Sequence, residues 1–115
     1  MEITAMQLGQ TVVVSIVGSV DALTAGDVAH YLSAQVDSGQ KQIVADLSQV
    51  DFMSSAGLRA ILHALKESRQ QGGDLRLAAA QPGVDHTLKV SGLASILQSF
   101  PTVDQAVASF GSSRI

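Results

Sequence analysis

The chain has 115 residues, the length of a single domain, and its 46% hydrophobic content is enough to build one core at that size, so it is expected to fold alone as one domain over 1–115. Ten acidic and seven basic residues, net charge -3, are scattered without runs, which excludes a basic footprint for nucleic acid or an anionic membrane. Cysteine is absent, which removes disulfides, thiolate catalysis and cysteine-type zinc sites, and His30, His63 and His86 share no metal-ligand spacing.

Met1-Glu2-Ile3-Thr4 places no positive region ahead of an apolar stretch, and no segment approaches the roughly 18 apolar residues of a membrane helix. The expectation is a mature, soluble, cytoplasmic chain. Ile3 to Leu8 is a weak strand candidate, and Gly9-Gln10 joins it by a hairpin to Thr11–Gly18, a β-branched run with Val12, Val14 and Ile16 on one face. Thr24 opens a capping box with Asp27 in the Glu/Gln position, and Val28, Leu32 and Val36 follow at steps of four, which predicts a helix from Thr24 to Ser38. Gln42–Leu47 is too short an apolar run for a helix and reads as a buried strand ending at Asp46-Leu47-Ser48.

A polar loop follows. Leu58, Ile61, Leu62 and Leu65 then form a helical stripe that Lys66 and Arg69 complement in the last turns and Gly72-Gly73 stops. Leu75, Leu77 and Ala79 alternate as a strand. Pro82 begins a helix carrying Val84 and Leu88 that ends at Gly92. Ile96–Phe100 reads as a short strand, and Thr102 with Gln105 opens a final helix that packs Val103, Ala106, Val107 and Phe110. The order β-β-α-β-α-β-α-β-α predicts an α/β fold, a mixed central sheet with an initial hairpin, right-handed crossovers and four helices.

Such a sheet binds at loops leaving the carboxyl ends of its strands. Two predicted loops carry unusual residues there: Gly18-Ser19-Val20-Asp21, and Ser48 to Gly57, where Phe52 and Met53 adjoin two serines at the start of the strongest helix. The segment DLSQVDFMSSAGLRAIL, Asp46 to Leu62, resembles the signature of the STAS domain family, in particular its stand-alone anti-sigma factor antagonists. The similarity extends to Gly18-Ser19-Val20-Asp21 and Val90-Ser91-Gly92-Leu93, in order and at matching spacing.

The resemblance implies a binding module with no cofactor. In that family a serine at the start of the second helix is phosphorylated by a serine kinase of the histidine-kinase-like ATPase fold that is also the anti-sigma factor. The unphosphorylated form captures this kinase, and a PP2C-type phosphatase resets the serine. Ser55 falls on the phosphoacceptor, Gly57-Leu58 on the glycine-leucine that follows, and Asp21 on the aspartate of the neighbouring loop. The implied partner surface comprises Asp21, Ser54, Ser55, Ala56, Gly57, Leu58 and Arg59. The commoner pattern is Asp-Ser-Ser-Gly or Asp-Ser-Thr-Gly, whereas here Ser54 replaces the aspartate and Ala56 the second hydroxyl, which leaves Ser54 as an alternative acceptor.

The same residues have plainer roles. A serine at a helix start is ordinarily an N-cap. Asp21 could cap the first helix or hold its own loop in an Asx turn. Arg59, His63 and Lys66 read as a solvated helix face or an interface edge, and Gly57 serves a partner's close approach or loosens the first turn. A serine hydrolase is disfavoured because SSAG is not the G-x-S-x-G elbow and no base is identified. The loop before the helix has one glycine and no lysine, unlike a phosphate-binding loop. The main alternative is a STAS scaffold that binds a transporter or another regulatory protein without phosphorylation.

Overall fold

A computed structural model of the chain describes residues 1–111. The elements run β1 Glu2–Leu8, β2 Thr11–Val20, α1 Ala25–Asp37, β3 Gln42–Met53, α2 Ser55–Gln70, β4 Asp74–Ala78, α3 Pro82–Val90, β5 Ser99–Phe100 and α4 Val103–Ala108. The five strands form one sheet in the order β1-β2-β3-β4-β5, with β1 antiparallel to β2 and every other pair parallel. This is the expected mixed sheet with an opening hairpin and four helices. Among the described residues no helix is long and apolar enough to cross a membrane.

The two faces of the sheet are covered unequally. On one, Val12, Val14, Ile16, Ile43, Ala45 and Leu47 meet the stripes of α1 (Val28, Leu32, Val36), α2 (Leu58, Ile61, Leu65) and α3 (Val84, Leu88), all buried. Full burial of each large side chain contributes about 1.5–3 kcal/mol, so this face supplies most of the driving force. On the other face Val13, Val44 and Ala78 are covered by α4 through Ala106, with Val103, Val107 and Phe110 partly buried. Arg76 fastens that small helix: its guanidinium lies 4.1 Å from the centre of the Phe110 ring and donates to Ser109 Oγ at 2.8 Å and Asp74 Oδ2 at 3.2 Å.

Four expectations need correction. The stretch Ser48 to Met53 is not a polar loop but the far half of β3, paired with Val17 to Val20, so Gly18 to Val20 also belong to a strand. Bulges between Ser15 and Val17 and between Gly18 and Ser19 shift the register there, and Gly18 takes a φ of +117° that an L side chain rarely adopts. Thr24 precedes α1 but makes no cap bond. Ala79 lies beyond β4 with a φ of +58°, its N–H donating to Phe100 O at 2.9 Å, so the chain turns out of the strand there. Finally, β5 is only Ser99–Phe100, because Leu93–Ser95 winds into a 3-10 turn. Thr102 does cap α4, accepting from Gln105 N at 3.1 Å.

Candidate functional site

The parallel strands β2 and β3 end side by side, Ser19 opposite Phe52 and Val20 opposite Met53, and both α1 and α2 start from this end of the sheet. The ladder runs to the edge of α2, for Ser54 N–H donates to Val20 O at 2.8 Å. Ser54 is therefore held extended, at φ -84° and ψ 171°, and its Oγ accepts from Gly57 N at 3.2 Å. That is the N-cap geometry, and it satisfies one of the amides left over at a helix start. Ser54 is half-buried, while Ser55, the first residue of α2, is exposed. The plain capping role thus falls to Ser54, and Ser55 faces solvent beside the remaining amides of the first turn.

The rest of the expected surface divides in two. Arg59 is exposed one turn after Ser55, and Ala56 is half-buried. Gly57 and Leu58 point inward, Leu58 being 3% exposed. A Cβ on Gly57 would stand 2.6 Å from both Met53 Sδ and Val20 Cγ1, so glycine is what lets α2 settle on the ends of β2 and β3. These two residues position the site instead of lining it. Asp21 holds an Asx turn, its Oδ1 accepting from Leu23 N at 2.9 Å and Thr24 N at 3.2 Å. Nearby, Ser19 Oγ donates to Asp51 Oδ1 at 2.8 Å, which fixes that carboxylate across the two strands.

Two apolar side chains complete the surface. Phe52, 53% exposed, projects from the end of β3, while its neighbour Met53 is buried. Leu23, 90% exposed, is the residue that sequence inspection passed over; the signal was an apolar residue between two polar turn residues, Asp21 and Thr24. Single exposed apolar residues are ordinary; these two stand at the end of the sheet where β2 and β3 finish and α1 and α2 start, the end that also carries Ser55. His30, His63 and His86 stand on α1, α2 and α3, and no group of three or more His, Asp or Glu side chains among the described residues could hold a metal ion.

The architecture agrees with known proteins. An anti-sigma factor antagonist of Bordetella bronchiseptica, BtrV, is 34% identical over 110 residues, 96% of this chain and 95% of that protein. The crystal structure of an anti-sigma factor antagonist from Mycobacterium paratuberculosis superposes with a TM-score of 0.88 at 24% identity, covering 96% of this chain and 94% of the other. The Bacillus antagonist SpoIIAA in its unphosphorylated form gives a TM-score of 0.81 at 21% identity, covering 98% and 100%. At such identities the structural likeness establishes the fold, and the sequence match supplies the rest: the STAS domain profile fits residues 2–106, and the chain belongs to the STAS domain family.

Proposed function

We propose that the chain is an anti-sigma factor antagonist, a binding module switched by phosphorylation of Ser55 and not an enzyme. In its unphosphorylated form it captures a cytoplasmic serine kinase of the histidine-kinase-like ATPase fold that doubles as the anti-sigma factor, and a PP2C-type phosphatase restores it. The observation that carries this reading is the division of labour at the start of α2. Ser54 Oγ accepts from the Gly57 amide and is half-buried, whereas Ser55 is exposed. Ser55 Oγ is thereby available to attack the γ-phosphorus of kinase-bound ATP, releasing ADP and passing its proton to a base on the kinase.

The docking surface would comprise Ser55 and Arg59 with Leu23 and Phe52 around them, a small apolar and polar patch of the kind that partner helices or loops cover. Support for an anti-sigma factor as the class of partner comes from the name of BtrV, similar over nearly all of both chains. The test is direct. Incubation with a serine kinase encoded beside this chain, with ATP, should add one phosphoryl group, and mass spectrometry after proteolysis should place it on Ser55. Ser55→Ala should abolish it and Ser54→Ala should not. Stable modification of Ser54 alone would overturn the residue assignment. Absence of modification together with tight binding to a transporter's cytoplasmic portion would replace the switch by the scaffold.

A further inference from the structure

Among the described residues, the lysine and arginine side chains are bonded within the fold except on one helix face. Arg69 and Arg76 share the Asp74 carboxylate, Lys89 meets Asp85 at 2.9 Å, and Lys41 donates to Gln71 O. Arg59 and Lys66 make no hydrogen bond, ion pair or ring contact. Both stand exposed on α2 and, with His63 between them, continue the line of Ser55 down the helix at steps of four, four and three. A carboxylate three or four positions away is what a helix ordinarily sets against a cation, and neither has one: those positions hold Ser55, Ala56, Leu62 and His63 for Arg59, and Leu62, His63, Arg69 and Gln70 for Lys66. Glu67, the one acid of α2, is half-buried and engaged elsewhere, accepting from Ser33 Oγ on α1 and lying 3.5 Å from His63 Nε2. A chain of net charge -3 thus carries a cationic stripe that begins at Ser55 and that none of its own acids neutralises.

We propose that this stripe extends the docking surface of Ser55 along α2 and receives an acidic segment of the kinase, Arg59 and Lys66 each taking one carboxylate; the inference rests on the Ser55 switch proposed above. Seven residues of helix separate the two cations by about 10 Å, so the segment that fits presents two carboxylates about 10 Å apart, as positions seven apart on a helix do. Free cations suit this purpose because no internal pair has to be broken before the partner binds. Two of them on an acidic chain are too few to hold a nucleic acid or an anionic membrane, whose attraction is built from many such contacts. The stripe also places the switch. A phosphoryl group on Ser55 would enter at its head, one turn from Arg59, and bring like charge against the carboxylates that the stripe attracts.

Calorimetric titration against the ADP-bound kinase encoded beside this chain measures the effect. Arg59→Glu and Lys66→Glu should each weaken binding at least about tenfold, whereas Lys89→Gln, which removes a cation already paired on α3, should bind like the parent. All three positions are exposed, so melts should stay cooperative, and Arg59→Gln and Lys66→Gln carry the same test should a glutamate loosen α2. Raising the salt from about 0.05 M to about 0.5 M should weaken the parent complex and move the double glutamine variant much less. A water-soluble carbodiimide, which joins an amine to a carboxylate, should couple Lys66 Nζ to an aspartate or glutamate of the kinase, and Lys66→Arg should keep the affinity while losing that product. Glutamate variants that bind as tightly as a parent chain phosphorylated on Ser55 would overturn the stripe and leave the switch standing. An equal loss for Lys89→Gln would show a response to net charge alone, and would overturn it as well. A parent chain that the kinase neither binds nor phosphorylates would remove the switch, and the stripe's role with it.

Discussion

α1 and α2 both start where the parallel strands end, and at each a hydroxyl residue stands immediately before the first helical residue, Thr24 in one case and Ser54 in the other. Only Ser54 caps. Thr24 already has helical backbone angles, φ -109° and ψ -12°, so its hydroxyl cannot swing over the first amides; it donates to Ser19 O at 2.8 Å and accepts from Asp21 N at 2.9 Å. The chain turns into α1 through the Asx turn at Asp21, whose carboxylate is occupied by its own backbone. It passes into α2 straight from the ladder, extended until Ser54. How the chain enters the helix, more than the residue type, therefore decides whether the hydroxyl before it caps the first turn or bonds back into the preceding loop.

The most damaging substitution at this end of the sheet is one that fills the space under the first turn of α2. Gly57→Val places its Cβ 2.6 Å from Val20 Cγ1 and Met53 Sδ and 3.2 Å from Val20 Cβ, and Val20 is a stiff β-branched residue in the core. Overpacking of this kind costs about 1–3 kcal/mol, more than the few tenths that helix propensity returns, and should lower the thermal midpoint by about 4–12 °C. If Gly57→Val melted like the parent chain, the seating of α2 described above would be wrong.

Removing the caps themselves should matter less. Ser54→Ala is expected to cost about 1 kcal/mol, the usual value of a helix N-cap. At α1 the equivalent loss should appear at Asp21: Asp21→Ala removes the acceptor of two amides and should cost about 1–2 kcal/mol, while Asp21→Asn, which keeps that acceptor, should stay within about 0.5 kcal/mol of the parent. Urea melts of the three variants check this ranking. Equal losses for Asp21→Ala and Asp21→Asn would mean that the charge, and not the turn, is what Asp21 supplies.

The helical stripes were legible in the sequence because each meets one flat sheet face, so that Val28, Leu32 and Val36, or Leu58, Ile61 and Leu65, recur at the helical period. The far half of β3 was not. Each register shift against β2 inserts one extra residue into β3, so the buried residues there are Val50 and Met53, three apart, with Gln49, Asp51 and Phe52 exposed between or beside them. A period of two finds no strand in that pattern. The candidate serine was legible from its motif, but its freedom was not. That Ser54 caps and Gly57 packs depends on Val20, which is distant in sequence and adjacent only in the sheet.

The mildest perturbation of the fold, and the sharpest of its function, is the phosphoryl group itself. It would add about -1.5 to -2 charges to Ser55, at a helix N-terminus where an anion is typically stabilised by about 0.3–1 kcal/mol. Arg59, one turn on and exposed, adds a weak attraction; the Asp51 carboxylate opposes it but is tied to Ser19, and Asp21 is turned into its own loop. The neutral Ser54, standing where the commoner motif has aspartate, removes one further repulsion. These small terms nearly cancel, so the thermal midpoint should move by only a few degrees. In a docked complex the balance changes. A dianion taken out of water without a matched cation costs several kcal/mol, and Leu23 and Phe52, the exposed apolar residues at this end of the sheet, offer no compensating charge. Affinity for the kinase should fall at least about tenfold, or roughly 1.4 kcal/mol. Calorimetric titration against the ADP-bound kinase and a melt of the same phosphorylated sample separate the two effects. If the phosphorylated chain lost its cooperative melt, or bound the kinase as tightly as before, exclusion at the interface could not be how the switch works.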